Sequence, residues 1–349
     1  MAGTSIVLAP SVQELANQGI ENVPEQYLQP NQDPIVVSNT TLSQKFPIID
    51  LGKLSCEDAN ELEKLDNACK DWGFFQFNLI RVFCSSLIEN VKIGIQEFFN
   101  LPMEEKKKFW QTKEEMQGFG QHVALEKEKL RWGDMFLVRT FPLHERHPHL
   151  IPSIPQPLRE NLESYSLELK KLFVTIIDFM TKALKVQPNE MLDLFEEVDQ
   201  SIKMNYYPPC PQPEQVIGLN PHSDGVVLTI LMEINEIQGL QIKKEGMWIP
   251  INPLPNAFVV NIGDMLEILT NGIYQSIEHR ATVNSEKERI SFAAFHTPYK
   301  VDIGPAPSLV TPETPALFKT ISTEDYKNGY LATKINGKSY LEVVRIQSS

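Results

Sequence analysis

The sequence is short of several things, and each shortage narrows what the chain can be. Cysteine occurs four times, at Cys56, Cys69, Cys84 and Cys210, with no C-x-x-C pair among them. That spacing argues against a disulfide framework and a cysteine zinc site, and suits a reducing compartment. Basic charge is in deficit: 32 lysines and arginines face 45 aspartates and glutamates, leaving a formal charge of -13. Nucleic acid requires basic surface to displace phosphate counterions, so no such partner is expected. Long apolar runs are missing too. LFVTIIDFM, Leu172 to Met180, contains Asp178 and is far short of the roughly 20 residues that span a bilayer. The N-terminus MAGTSIVLAPSVQELANQG has no basic segment ahead of its short apolar patch, so no secretory signal is read. The expectation is a cytoplasmic monomer acting on a small molecule, with no membrane.

Nor is there an internal repeat or a low-complexity tract, and the 349 residues fit one large domain as well as two. Residues 1 to about 45 read as irregular, with a short helix at SVQELANQG and an extended piece at DPIVVSN. FPIIDL reads as a strand. DANELEKLDNACKDWGFFQF reads as a helix with Leu62, Leu65, Ala68 and Trp72 at spacings of three and four, a stop at Gly73, then a strand. Further helices are expected over Ser85–Asn100, at LPMEEKKKF, and near 159–185, where Leu162, Leu167, Leu169, Leu172, Ile176, Met180 and Leu184 form the apolar stripe. After about residue 200 the texture changes. IKMNYYP, VVLTILME, LQIKKEG, MWIPINP, AFVVNIGD, EILTNG, YQSIEHRATV, RISFAAFHT and KVDIGP follow one another as short β-rich runs punctuated by Gly, Pro, Asn and Asp, the pattern of a sandwich or jelly roll.

One stretch in that half bears on chemistry. In GLNPHSDGVVLTI, His222 and Asp224 are two residues apart, and in a strand such residues share a face. His279, in SIEHRATV, lies 55 residues further on. Two imidazoles and one carboxylate are the ligand set that binds non-haem Fe(II) and leaves positions open. Reaction of O2 at such a site requires two further electrons, which a dicarboxylic 2-oxo acid yields on oxidative decarboxylation. Arg289 is suited to its far carboxylate, being a permanently charged fork that pairs bidentately. Ser291 follows on the same strand face, and Asn205 with Tyr207 in KMNYYPPCPQP form a second i, i+2 pair. The other histidines, His122, His144, His147, His149 and His296, have no comparable arrangement. LHERHPHL, which holds three of them, reads as a solvated loop.

Taken in order, NYYPPCPQP, PHSDG, GLQIKKEGMWIPINPLPNAFVVNIGD, NGIYQSIEHRATVN and ERISFAAFH resemble the plant 2-oxoglutarate- and Fe(II)-dependent dioxygenases. The branch is that of the senescence-related-gene-like and norcoclaurine-synthase-like proteins and the codeine and thebaine demethylases. The likeness runs from PSVQELA to ETPALFK. It implies an α+β fold, a double-stranded β-helix (jelly roll) flanked by helices, with a mainly helical first half. The implied segments are a non-haem dioxygenase N-terminal region (1–198), a catalytic domain (199–300) and a C-terminal extension (301–349). It implies that His222, Asp224 and His279 bind iron, that Arg289 and Ser291 hold 2-oxoglutarate with help from Asn205 and Tyr207, and that ascorbate serves as reductant. Phe295 and Phe136 are the implied substrate-pocket residues. The implied reaction is hydroxylation, desaturation or O-demethylation of a small plant metabolite such as an alkaloid, flavonoid or hormone-like compound. Two alternatives stand beside it: an ascorbate-dependent Fe(II) oxidase that does not use 2-oxoglutarate, and a catalytically impaired jelly-roll binding protein. The sequence departs from the family at FNLIRVF, where no glycine intervenes between Gly73 and Gly94, and at Arg131, where an acidic residue is common.

Overall fold

A computed structural model of the chain describes residues 6–7, 9–29, 46–78, 84–112, 115–121, 124–125, 129–153, 155–333 and 339–347. The extended piece expected at DPIVVSN, the altered residues 79–83 and His122 lie outside them. Two sheets carry the architecture. In chain order their strands are β1 (Ile48–Asp50), β2 (Phe74–Asn78), β3 (Gly118–Gly120), β4 (Asp134–Phe141), β5 (Val198–Tyr207), β6 (Leu219–His222), β7 (Leu228–Glu233), β8 (Leu240–Lys244), β9 (Met247–Pro250), β10 (Ala257–Ile262), β11 (His279–Ala281) and β12 (Arg289–Pro298). The larger sheet runs β1-β2-β10-β7-β12-β5-β4-β3 and the smaller β9-β8-β11-β6. Within them β1 pairs parallel with β2, and the remaining neighbours are antiparallel. Before residue 198 the helices are accompanied by β1 to β4, of which β1 and β2 are the strands read from FPIIDL and GFFQF. Segments before 198, between 199 and 300, and after 300 share one apolar core.

The helices pack where their apolar faces dictate. Helix α1 (Ala59–Asn67) is capped by Asp58, whose carboxylate accepts from the amides of Asn60 and Glu61, and ends through a wide turn at Ala68–Trp72. Gly73 then takes φ 59° and donates to the carbonyl of Ala68. A Cβ there would stand 2.2 Å from the carbonyl oxygen of Gln275, so glycine is needed for conformation and for space. Helix α2 (Ser85–Asn100) has the bounds expected. Helix α3 (Leu158–Leu184) buries Leu162, Leu169, Leu172, Ile176 and Met180. Leu167 does not join them and is 45% exposed, because successive helical positions turn by about 100° and only i±3/i±4 neighbours stay on one face.

The run EILTNG is the clearest misreading of secondary structure. Its first residues belong to a short helix, α4 (Asp264–Leu269), buried along its whole length. A short continuous apolar run has no amphipathic period to separate helix from strand. Of YQSIEHRATV, only His279–Ala281 is strand. A later helix, α5 (Thr323–Ala332), returns to the sheets. Among the described residues no helix is long and apolar enough to cross a membrane.

Strand β12 places the site. Arg289, Ser291, Ala293, Phe295 and Thr297 face a cavity between the two sheets, while the alternate residues Ile290, Phe292, Ala294 and His296 face the core. There Phe292 meets Tyr165 edge-on at 5.2 Å and His296 stacks on Phe173 at 4.6 Å, both partners on α3. One face of one strand therefore serves the cavity and the other locks the sheet to the longest helix.

Candidate metal centre

His222, Asp224 and His279 converge: one ligand atom from each lies within 4.8 Å of the others. No other group of three His, Cys, Asp or Glu residues does so among the described residues. The two histidines face each other across the β6–β11 pairing, with ring centroids 4.3 Å apart. Asp224 lies in the turn after β6, not on a strand continuous with His222. The i, i+2 argument therefore named a pair that does converge, but through the wrong element. The next strand, β7, belongs to the larger sheet, whereas His222 ends a strand of the smaller one.

Each side chain has a fixed orientation. Nδ1 of His222 stands 2.8 Å from the carbonyl of Asn220 and Nδ1 of His279 3.2 Å from that of Ile277. A carbonyl only accepts, so both protons sit on Nδ1 and both Nε2 lone pairs are presented. These nitrogens lie 3.5 and 3.7 Å from Oδ1 of Asp224. The other carboxylate oxygen, Oδ2, accepts from Thr229 Oγ1 at 2.6 Å and Asn261 Nδ2 at 2.8 Å. The Asp224 carbonyl accepts from the amide of Asp264, which opens α4. Ser223, between the two ligand candidates, turns away and donates to Asp264. Burial opposes ionisation of Asp224, but His279, His222 and Thr229 outweigh it and hold the carboxyl well below the usual carboxylate range. Burial and His222 push the His279 imidazole down to about 4, so near neutrality it is an uncharged lone-pair donor. Three electron-pair donors thus point at one space with no proton between them. That donor set fits Fe(II) with open positions.

The opposite end of the cavity is basic. Arg289 is 3% exposed, with its guanidinium carbon 5.3 Å from the ring centre of Tyr207. Its stem passes Gly239, where a Cβ would be 2.6 Å from Cδ, so any larger residue would push the fork aside. Ser291 accepts from Asn205 Nδ2 at 3.3 Å, leaving its own hydroxyl proton to donate. Three buried polar atoms here have no partner: Arg289 Nε, Asn205 Oδ1 and Glu233 Oε2. Such orphans are rare in a finished core. Of the three, Arg289 Nε donates and so fits an anionic ligand, whereas Asn205 Oδ1 and the Glu233 carboxylate oxygen only accept and are completed by a group that brings a proton.

The cavity joining the two ends has a volume of about 350 Å³, within the usual range for a small-molecule site. Of the pocket residues expected, Phe295 is on its wall. Phe136 is not. It is fully buried and packs edge-on against Phe98 at 5.3 Å and Phe109 at 6.1 Å. The register explains the error: Phe136 lies opposite Met204, a core residue, while its neighbour Leu137 lies opposite Lys203, which lines the cavity. The histidines of LHERHPHL form no metal cluster, and His147 instead pairs with Glu115 at 2.5 Å. Several contributors escaped the sequence reading. Thr229, Asn261 and Glu233 carried a usable signal, as polar residues inside the apolar runs LTILME and AFVVNIG. Lys327 and Tyr330 reach the cavity from α5, and Tyr330 donates to the carbonyl of Ser223 at 3.0 Å.

Comparison with known proteins agrees with this geometry. Residues 198–298 match the model of the 2OG-Fe(II) oxygenase superfamily, and residues 46–155 that of the non-haem dioxygenase in morphine synthesis N-terminal region. Over 97% of its length the chain is 49% identical to thebaine 6-O-demethylase of Papaver somniferum, covering 96% of that protein. The chain belongs to the 2OG-Fe(II) oxygenase superfamily. A second relative, oxoglutarate-dependent flavonoid 7-O-demethylase 1 of Ocimum basilicum, is 48% identical over 97% of this chain and 91% of its own. The crystal structure of JOX2 in complex with 2OG, Fe and JA superposes with a TM-score of 0.88 at 32% identity, covering 97% of this chain and 98% of that one. This oxygenase is accordingly an Fe(II)- and 2-oxoglutarate-dependent dioxygenase with a jelly-roll core. The alternatives without 2-oxoglutarate or without catalysis give way to that assignment.

Proposed function

We propose that His222, Asp224 and His279 hold the Fe(II), that Arg289 and Ser291 receive the distal carboxylate of 2-oxoglutarate beside Asn205 and Tyr207, and that the oxygenase removes a methyl group from a methoxylated plant metabolite. The observation that carries the site is the paired orientation of the imidazoles, each fixed through Nδ1 so that Nε2 faces Asp224 Oδ1. Supporting the outcome are two relatives at near-equal identity, named as O-demethylases of a flavonoid and of an alkaloid. Their substrates differ in scaffold and share a methoxy group, so the reaction type is the better-supported part.

Bound Fe(II), 2-oxoglutarate and O2 supply the oxidising chemistry. The work of this chain is to place and to shield. Thr229 and Asn261 keep Asp224 turned so that one oxygen serves the metal. Arg289 sets the far end of the co-substrate at a fixed distance from the metal ligands. Phe295, Ala293 and Leu231 present apolar wall to the substrate ring, and Tyr330 with α5 covers the cavity beside Ser223 and Gly225. The reaction consumes R–OCH3, 2-oxoglutarate and O2 and yields R–OH, formaldehyde, succinate and CO2. A single chain is taken as the working unit, in the cytoplasm, with ascorbate as reductant, since one chain's elements supply both ends of the cavity.

Purified protein with Fe(II), ascorbate and 2-oxoglutarate, offered methoxylated flavonoids and alkaloids, is expected to release formaldehyde and succinate in equal amounts with at least one of them. Succinate with a hydroxylated or desaturated product and no formaldehyde would replace O-demethylation by one of the other two outcomes.

A further inference from the structure

Glu233, the last residue of β7, is not needed to explain the metal centre, yet it is paired with the arginine at the other end of the cavity. Its side chain is 7% exposed and Oε1 accepts from Nη2 of Arg289 at 2.5 Å. Its Cα lies opposite Ser291 in the β7–β12 register, so the carboxylate stands on the same face of the sheet as the two residues proposed to hold 2-oxoglutarate. Its second oxygen, Oε2, is buried and has no hydrogen-bond partner. One guanidinium therefore already faces one carboxylate before the co-substrate brings another.

We propose that Glu233 couples co-substrate binding to protonation: as the distal carboxylate of 2-oxoglutarate enters at Arg289, Glu233 takes up a proton and changes from ion-pair partner to neutral hydrogen-bonding neighbour. This rests on the reading of Arg289 as the anchor for that carboxylate. The physical reason is charge. Two buried carboxylates sharing a single cation leave one net negative charge in a low dielectric, and like charges at such range force one of the two to remain protonated. The other groups around the pair do not supply the missing counter-charge at Glu233. Tyr207, on β5, contributes a phenol whose own ionisation is opposed by burial; beyond it Arg131 acts on that phenol. Glu288, next to Arg289 in the chain, is turned toward Tyr206 and Gln96. Tyr165, from α3, meets Met232 on the opposite face of β7. Burial raises the Glu233 carboxyl above its ordinary range, against the opposing effect of Arg289. A second anion acts in the same direction as burial. Protonation in the bound state also gives Oε2, or its twin, a proton to donate to the incoming carboxylate.

The sign follows from linkage. A group whose affinity for protons is higher in the complex than in the free protein binds protons on complex formation, so affinity for 2-oxoglutarate falls as pH rises from the free-state titration of Glu233 up to its titration in the complex. The test is titration calorimetry of 2-oxoglutarate into the Fe(II)-loaded protein without oxygen, in two buffers of different ionisation enthalpy and across pH 6 to 9. The expected result is uptake approaching one proton per 2-oxoglutarate bound, with Kd rising by up to about tenfold per pH unit over part of that range. Pyruvate, which has no distal carboxylate, should bind without that uptake. Glu233→Gln should bind 2-oxoglutarate with a flat pH profile and no proton uptake. Tight binding by the unaltered protein with no proton uptake, or uptake that persists in Glu233→Gln, would overturn the coupling and leave the Arg289 reading intact. No binding of 2-oxoglutarate at any pH would overturn both.

Discussion

The two ends of the cavity are finished in opposite ways. At the metal end every polar atom turned away from the centre is already engaged: both Nδ1 atoms by backbone carbonyls and Asp224 Oδ2 by Thr229 and Asn261. At the arginine end, Arg289 Nε, Asn205 Oδ1 and Glu233 Oε2 have no partner. The difference matches what each end is proposed to hold. A resident ion is best served by ligands locked before it arrives, because outer hydrogen bonds set ligand orientation and basicity. A co-substrate consumed in every turnover requires hydrogen-bonding capacity that is free when it enters and free again when it leaves. Rigidity at one end and unspent capacity at the other are the physical form of resident versus consumed.

The contrast can be broken at either end, and the largest effect is expected where the ion itself is lost. Asp224→Ala removes the one anionic ligand, and metal analysis with a 2-oxoglutarate turnover assay should show metal content and succinate formation at background. Next comes Arg289→Met, which strands Glu233 as a buried carboxyl without its partner. It should cost roughly 3–5 kcal/mol of stability in denaturant melts, the usual penalty for breaking a buried pair, and weaken 2-oxoglutarate by about thirtyfold or more, while Fe(II) is retained. Adding Glu233→Gln to that variant should recover much of the stability and none of the affinity, which separates the pair's structural share from its binding share.

Smaller effects probe the outer contacts. Asn261→Ala or Thr229→Val should lower Fe(II) affinity by roughly 10–100-fold, with 2-oxoglutarate binding unchanged once the metal is saturating. A change in both constants would mean the two ends are not separable. The smallest pair compares two phenylalanines. Phe295→Leu should alter kcat/KM for the organic substrate by about tenfold or less with little loss of stability. Phe136→Leu should do the reverse, costing on the order of 1–2 kcal/mol as a trimmed core aromatic and leaving substrate choice alone.

That last pair also marks where the sequence stopped being informative. Both came from the resemblance, but Phe295 also shares, by alternation along RISFAAFHT, the face of Arg289 and Ser291, and β12 keeps that alternation without a break. Phe136 shared no strand with a recognised site residue, so which of its two faces met the cavity depended on pairing with β5, which no local pattern records. The triad was legible for a similar reason: its residue types are chemically distinctive even when Asp224 sits in a turn. Thr229, Asn261 and Glu233 stood out only as polar residues inside apolar runs, and their roles come from register, opposite Phe295, against β7, and opposite Ser291. A sandwich or jelly roll was visible in the spacing of turn residues, and the resemblance chose between them. Helix α4 was not, because six consecutive buried positions erase the periodicity that tells helix from strand.

The claim on which the rest depends is that one ion and one dicarboxylate occupy the two ends together. The most direct measurement is anomalous diffraction at the iron edge from crystals grown without oxygen in the presence of Fe(II) and 2-oxoglutarate. The account predicts a single strong peak bounded by Nε2 of His222, Nε2 of His279 and Oδ1 of Asp224, with 2-oxoglutarate density running from that peak to the Arg289 fork. Iron bound elsewhere, or 2-oxoglutarate density that avoids Arg289, would contradict it.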